Sequence, residues 1–248
     1  MDNTQKFDGK AAVYAKARPG YANELVRLLS DSGVGKNSFV ADIGSGTGIF
    51  SNVLLDLGCH VYGVEPNEDM RRESEKKLAQ FTTFHPVNGA AENTTLPDKS
   101  VDFITVAQAF HWFNTEKFKL ECQRILKKNG KVMLIWNSRI MESPLVKENE
   151  QIFRRFCPDF KGFSGGIGYM DESIQNFFSN FTVYRFPNNL PFDKSKFIER
   201  NLSASYSLKE NDAQYDLYLT ELNNLFDKYA AEGMLLVPNE TIIYIGQV

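Results

Sequence analysis

Along the first half of the chain, short apolar runs alternate with longer segments whose apolar residues recur at helical spacing. In residues 23–34, Leu25, Leu28 and Leu29 share one face and Gly33 follows, which predicts a helix with a glycine stop. Residues 38–44, "SFVADIG", form an apolar run ending in glycine and predict a buried strand. Residues 49–58 place Ile49, Val53 and Leu57 at helical spacing before Gly58. A strand over 60–67, a helix over 68–81, a strand over 100–109, a helix over 115–130 and a strand over 131–137 complete the series. The 115–130 helix is expected to end on Lys127, Lys128, Asn129 and Gly130, cations followed by glycine. His60 reads as a strand start and His85 as a loop residue; neither is given chemistry.

Beyond Asn137 the alternation stops. A helical stretch over 144–156 and a glycine-rich loop, "KGFSGGIG" (161–168), lead to a second short helix and a strand over 181–186. Residues 211–233 form a long amphipathic helix with Tyr218, Leu222, Leu225 and Tyr229 on one side, and two strand-like runs surround Pro238–Asn239. Strand–helix alternation implies an α/β fold with a largely parallel sheet, in which ligands bind beyond the carboxyl ends of the strands. The expectation is one domain over 1–248. Its cofactor-binding core is 35–137, a helical cap occupies 138–180 and 193–233, and closing strands lie at 181–187 and 234–248.

Composition narrows the function. Of 248 residues, 42% are hydrophobic and 24% charged, as in an ordinary soluble globular protein. A net charge of −3 argues against a broad nucleic-acid footprint, which carries a basic excess. No run approaches the roughly 18 apolar residues of a membrane span, and the first ten residues lack the apolar stretch of a signal peptide. Three scattered cysteines do not make a disulfide framework, so a reducing cytoplasm is the expected compartment. The three histidines are scattered too, and no His, Cys or carboxylate cluster has metal-ligand spacing.

The chemistry concentrates at "VADIGSGTGIF" (40–50), where Gly44, Gly46 and Gly48 stand between a strand and a helix. Helix N-termini offer unpaired N–H groups, and glycine lets a ligand approach the backbone. The dinucleotide pattern G-x-G-x-x-G/A needs a small residue at position 49, where this chain has Ile49. Glu65 ends the next strand, 21 residues after Gly44, where a carboxylate can accept hydrogen bonds from a ribose diol. "GSGTG" is not the G-x-S-x-G of a serine nucleophile.

Taken with "VYGVEPN" and "GAAENTTLPDKSVDFITVAQAFHWF", this turn resembles the class I S-adenosylmethionine-dependent methyltransferases of the type 11 group, over roughly residues 40–137. The resemblance implies a Rossmann-like sheet of seven mostly parallel strands with the last antiparallel, helices on both faces and a helical cap after the fifth strand. It implies S-adenosyl-L-methionine as cofactor. Asp42, Gly44, Ser45 and Gly46 would lie along its methionine part, Glu65 would hold the ribose, and Pro66 and Asn67 would sit beside the adenosine. Ala91 and Glu92 would edge the adenine, while Ala107 and Gln108 would pass the sulfonium. Many relatives carry Cys or Ala where this chain has Ser45. Glu92 has a second reading as a turn cap, Asp42 as a structural acceptor for loop N–H groups, and Met70 reads as core rather than adenine contact.

Methyl transfer needs alignment and water exclusion more than catalytic machinery, because the sulfonium is already activated. His111, just beyond the fourth strand, is a candidate base, substrate-orienting or cofactor-contacting residue, or else a structural histidine beside Trp112. "YAKARPGY" (14–21) resembles the segment that closes over the cofactor in relatives, which makes Tyr14 a second catalytic candidate. Arg18 could meet a carboxylate of cofactor or substrate, or else snorkel from a surface-packed segment. Phe163, Tyr169 and Tyr206 are candidate walls of a substrate pocket, while the glycine-rich loop reads equally as a loose connection. The expected partner is a small-molecule methyl acceptor, with neither nucleic acid nor membrane. DNA-base amino methylation usually brings an Asn/Asp-Pro-Pro-aromatic tetrad, where this chain has "AQAF" (107–110). The other reading is a sensor or scaffold that binds the cofactor without transferring its methyl group.

Overall fold

The computed structural model describes residues 20–163, 172–204 and 206–248. Tyr14, Arg18 and Tyr169 lie outside the described residues. The strands are β1 (Phe39–Ile43), β2 (His60–Val64), β3 (Phe84–Val87), β4 (Val101–Ala107), β5 (Leu126–Arg139), β6 (Asn180–Pro187), β7 (Leu190–Phe192), β8 (Leu235–Val237) and β9 (Asn239–Gln247). The helices are α1 (Asn23–Asp31), α2 (Ile49–Asp56), α3 (Glu68–Lys77), α4 (Thr115–Ile125), α5 (Pro144–Phe156), α6 (Glu172–Phe177), α7 (Lys194–Leu202) and α8 (Tyr215–Tyr229).

Seven strands form one sheet in the order β3-β2-β1-β4-β5-β9-β6. The pairs β1–β2, β2–β3, β1–β4 and β4–β5 are parallel. β9 runs antiparallel to β6: Ser179 at the start of β6 donates its N–H to Gln247 O, and Asn188 beyond its end donates to Asn239 O. This is the Rossmann-like sheet with a reversed final strand, and the cap helices α5 to α8 follow the fifth strand in the chain.

The chain forms two compact units. One contains residues up to Trp136, 170–186 and 241–248; the other contains 137–169 and 187–240. In the first, α1 and α2 bury Leu25, Leu29, Phe50, Leu54 and Leu55 with Val40 and Val61 of the sheet. Phe118 of α4 stacks on Phe177 of α6 with ring centroids 5.4 Å apart, and Phe110 meets both edge-on. In the second, Val146, Phe153 and Phe156 of α5 pack with Tyr218 and Leu222 of α8. The phenol of Tyr218 is hydrogen-bonded to Ser207 at 3.1 Å, which satisfies its polar tip inside an apolar cluster.

Two expectations are corrected. The helix begun at 115 stops at Ile125, and Leu126–Gly130 already belongs to β5. Leu126 takes ψ 136° and pairs with Val101, while the N–H groups of Lys99 and Ser100 bond to the carbonyls of Arg124 and Ile125. The sheet's hydrogen bonds therefore claim a segment whose composition suits a helix end. His85 is a strand residue of β3, paired with Tyr62. Pro86 hid this strand from the pattern; it is tolerated because β3 is the edge of the sheet.

Candidate active site

Parallel register aligns the carboxyl ends of three central strands. Ile43 pairs with Val64 and Asp42 with Thr105, so Gly44, Glu65 and the β4 terminus at Ala107 leave the sheet along one rim. The turn after β1 is hooked to the end of β2: Gly44 and Ser45 donate their N–H groups to Val64 O at 2.9 and 3.2 Å. Gly48 then caps α2.

The three glycines of this turn all have positive φ but answer different demands. A Cβ on Gly44 would lie 2.7 Å from Ala109 Cβ and 3.3 Å from Phe113 Cζ. A Cβ on Gly48 would lie 2.7 Å from Leu78 Cδ1 and 3.1 Å from Ser74 Cβ. A Cβ on Gly46 would meet no described atom within 4 Å. Packing thus excludes side chains at the outer two, while the middle glycine borders open space.

Two carboxylates flank the turn. Glu65 is 9% exposed; its Oε2 accepts from Gly46 N and its Oε1 from Asn67 N, both at 2.9 Å. Burial pushes its carboxyl above the usual value, and the Asn67 and Gly46 amides and the Arg71 charge pull it back. The Arg71 guanidinium also donates to Glu65 O at 2.7 Å, which fixes the backbone behind the side chain. Asp42, 1% exposed, accepts from Ser51 Oγ at 2.7 Å and Thr105 Oγ1 at 2.9 Å. Burial pushes it up to about 6; the Ser51 and Thr105 hydroxyls lower it and the Glu65 charge raises it.

That shift has a definite sign. A carboxyl that holds its proton more tightly when folded than at its ordinary value of 3.8 destabilises the fold progressively as pH rises from about 4 to about 6. Asp42→Asn is therefore expected to flatten this part of the pH–stability curve. At pH 7.5 it should remove a cost on the order of 2–3 kcal/mol. Urea midpoints at pH 4.5 and 7.5 check it; an unchanged difference between them would count against Asp42 as the titrating group.

Asn67 caps α3, its side-chain oxygen accepting from Met70 N at 2.9 Å, and Met70 is buried. Pro66 is exposed beside it. Ala91 is buried, and Glu92 Oε1 accepts from Asn114 N at 2.7 Å. Gln108 follows Ala107 with φ 61°, a left-handed conformation uncommon for a side chain of its size, and its N–H bonds to Ile135 O. His111 is exposed on the short 3-10 turn Phe110–Trp112, with its ring centroid 4.8 Å from that of Trp112. Its replacement by Ala is expected to change stability by no more than about 0.5 kcal/mol while lowering turnover. A collapse of the melting transition with normal residual activity would make the histidine structural.

In the second unit, Phe163 packs in the aromatic cluster under the Arg139 guanidinium, 4.2 Å from its ring centre. Tyr206 is half-buried, its ring edge-on to Phe153 and Phe160. Among the described residues no group of three His, Cys, Asp or Glu is placed to hold a metal, and no helix is long and apolar enough to cross a membrane.

Sequence reasoning passed over Ser51, Thr105, Thr47, Arg71 and Glu121. Ser51 and Thr105 carried a signal, each being a hydroxyl amid apolar residues of a buried helix face or strand. The others become legible only through their contacts.

The turn suits the methionine end of an adenosyl cofactor. Ser45 Oγ and Thr47 Oγ1, the chain neighbours of Gly46, are buried without a hydrogen-bond partner among the described residues, and Ser45 Oγ lies over Gly63 of β2. Buried polar atoms are nearly always paired, so two orphans in one anion- and amide-rich turn mark a place for a polar ligand. The sheet order and the turn after β1 agree with the resemblance to class I S-adenosylmethionine-dependent methyltransferases. Residues 41–134 match a methyltransferase domain model.

An uncharacterized methyltransferase of Mycobacterium tuberculosis (strain H37Rv) is 31% identical over 62% of this chain and 61% of its own length. A Schizosaccharomyces pombe uncharacterized methyltransferase-like protein is 31% identical over 63% and 61%. The matched region thus spans about three-fifths of these curated relatives. Among solved structures, a protein from Anaeromyxobacter dehalogenans assigned as a type II methyltransferase aligns with TM-score 0.67 at 20% identity, covering 93% of this chain and 97% of that one. The Haemonchus contortus phosphoethanolamine N-methyltransferase 2 aligns with TM-score 0.54 at 18% identity, covering 100% of this chain and 59% of that one. At these identities the two structures share the fold.

Proposed function

We propose that this protein transfers a methyl group from S-adenosyl-L-methionine to a small-molecule acceptor. The carrying observation is the glycine turn after β1, with the unpartnered buried hydroxyls of Ser45 and Thr47, the open Gly46 and the Glu65 carboxylate bonded to the Gly46 amide. When bound, the cofactor supplies a methyl carbon already activated by a sulfonium. The acceptor's lone pair forms the new bond to that carbon as the carbon–sulfur bond breaks, and sulfur keeps the electron pair. S-Adenosylhomocysteine is the co-product.

The chain's part is binding and alignment. Glu65 would offer lone pairs to the ribose hydroxyls, the amides and hydroxyls of the turn would take the methionine end, and Ala91 would border the adenine. Ala107, Gln108 and His111, at the end of β4, border the reacting centre. Tyr14 and Arg18, outside the described residues, would join this set on the resemblance alone. A nucleophile that is already ionised or bears a free lone pair needs no base, which suits a rim where the buried carboxylates are engaged by their own neighbours.

The net charge of −3 supports a small acceptor over nucleic acid. A cytoplasmic setting agrees with three unpaired, buried cysteines. The test is incubation with methyl-labelled cofactor and a panel of small carboxylates, phenols and amines, reading S-adenosylhomocysteine release and labelled product. Tight binding of S-adenosylhomocysteine with no turnover on the panel would favour a sensor. Preference for NADH over S-adenosylhomocysteine in calorimetry would overturn the cofactor reading.

A further inference from the structure

The segment between β3 and β4, residues 88–100, contains no helix, yet it carries Ala91 and Glu92. Loops this long without secondary structure need other anchors to hold one shape. Here the anchors are side chains of α4. Ala90 and Asn93 exchange backbone hydrogen bonds of 3.1 Å, closing a tight turn in which a Cβ on Gly89 would lie 2.6 Å from Thr94 O. Thr94, fully buried, then donates both its backbone N–H (2.7 Å) and its hydroxyl (2.6 Å) to Glu121 Oε1. Arg124 grips the same carboxylate through Nε to Oε2 at 2.9 Å and Nη2 to Oε1 at 2.8 Å, and reaches Asp98 of the loop through Nη1 at 2.6 Å.

We propose that Glu121 and Arg124 are positioning residues for the cofactor: acting through Thr94 and Asp98, they hold the Ala91–Glu92 edge in its binding shape. The inference rests on the reading that Ala91 and Glu92 border the adenine. A carboxylate only 8% exposed is costly to bury unless its lone pairs are filled, and here four donors fill them. The guanidinium fork fits both oxygens at once, a geometry lysine lacks. Burial pushes the Glu121 carboxyl up, but Arg124 and Thr94 outweigh it and hold it below the ordinary value. The same helix secures the loop a second time, because its N-cap Asn114 donates its N–H to Glu92. Asn114 directly follows the His111–Trp112–Phe113 stretch, so one helix fixes both the adenine edge and the rim beyond β4.

The experiment compares the full chain with Glu121→Gln and Arg124→Lys. Calorimetry measures S-adenosylhomocysteine binding, amide exchange of the ligand-free protein reports on Thr94 and Leu96, and thermal melting reports on folding. The expected result is 10- to 30-fold weaker binding, with faster exchange at Thr94 and Leu96. Thr94→Val, which removes the hydroxyl that donates to Glu121 and accepts from Leu96 N, should show three- to tenfold weaker binding and serves if the Glu121 variant fails to fold, with exchange then read at Thr94 alone. A lowered melting temperature with binding within twofold of the parent would overturn the proposal, because a purely structural clamp would act that way. Absence of binding by the parent itself would overturn the cofactor reading and this inference together.

Discussion

Gly46→Ala is expected to yield a folded protein that has lost most of its affinity for S-adenosyl-L-methionine. Gly46 has φ +55°, and a Cβ built there meets no described atom within 4 Å. The fold therefore bears only the left-handed backbone strain, about 1–2 kcal/mol. The methyl group projects into the open side of the turn. Excluding a ligand from close backbone approach should weaken binding at least tenfold, about 1.4 kcal/mol. Gly44→Ala is the control. Its Cβ would sit 2.7 Å from Ala109 Cβ at φ +69°, so strain adds to overpacking. Its loss should appear in stability, about 2–4 kcal/mol. Urea unfolding and calorimetry on both variants separate the two roles. Equal affinity in Gly46→Ala and the parent would remove the turn from the cofactor site.

Glu65→Ala is expected to weaken cofactor binding by about 1.5–3 kcal/mol, the scale of charged hydrogen bonds to the ribose. The structure adds a second consequence. Glu65 also receives the Gly46 and Asn67 amides, so the variant releases the turn as well as the sugar. Glu65→Gln keeps one carbonyl acceptor and should fall between parent and alanine variant. Burial first of all raises the Glu65 carboxyl above its ordinary value. Hydroxyl donors favour its ionised form, so parent affinity should rise with pH as Glu65 ionises, and the rise should vanish in Glu65→Gln. An unchanged dissociation constant in Glu65→Ala would exclude Glu65 from the site.

Much of this was legible in the linear pattern. Apolar runs alternating with helical periodicity marked β1, β2, β4 and β5 but not β3, and α5 falls on the predicted residues 144–156. The glycine turn and Glu65 stood out because few physical reasons place three glycines between a strand and a helix. The misread places share one cause. Leu126–Gly130 and Phe84–Val87 are strands because neighbouring strands offer hydrogen bonds, although their own composition suits a helix end and a loop. Local propensity is a fraction of a kcal/mol per residue, and sheet pairing overrides it.

By itself, then, the sequence determined the alternating fold, the place of the turn and the carboxylate beside it, since these follow from periodicity and from backbone freedom at particular positions. Only the tertiary structure decided which glycine borders open space, that Ser51 and Thr105 hold Asp42, and that Glu121 reaches back 27 positions to Thr94. Such pairings depend on strand register and helix docking. A side chain's hydrogen-bond partner across dozens of residues has no signature in the order of the residues between them.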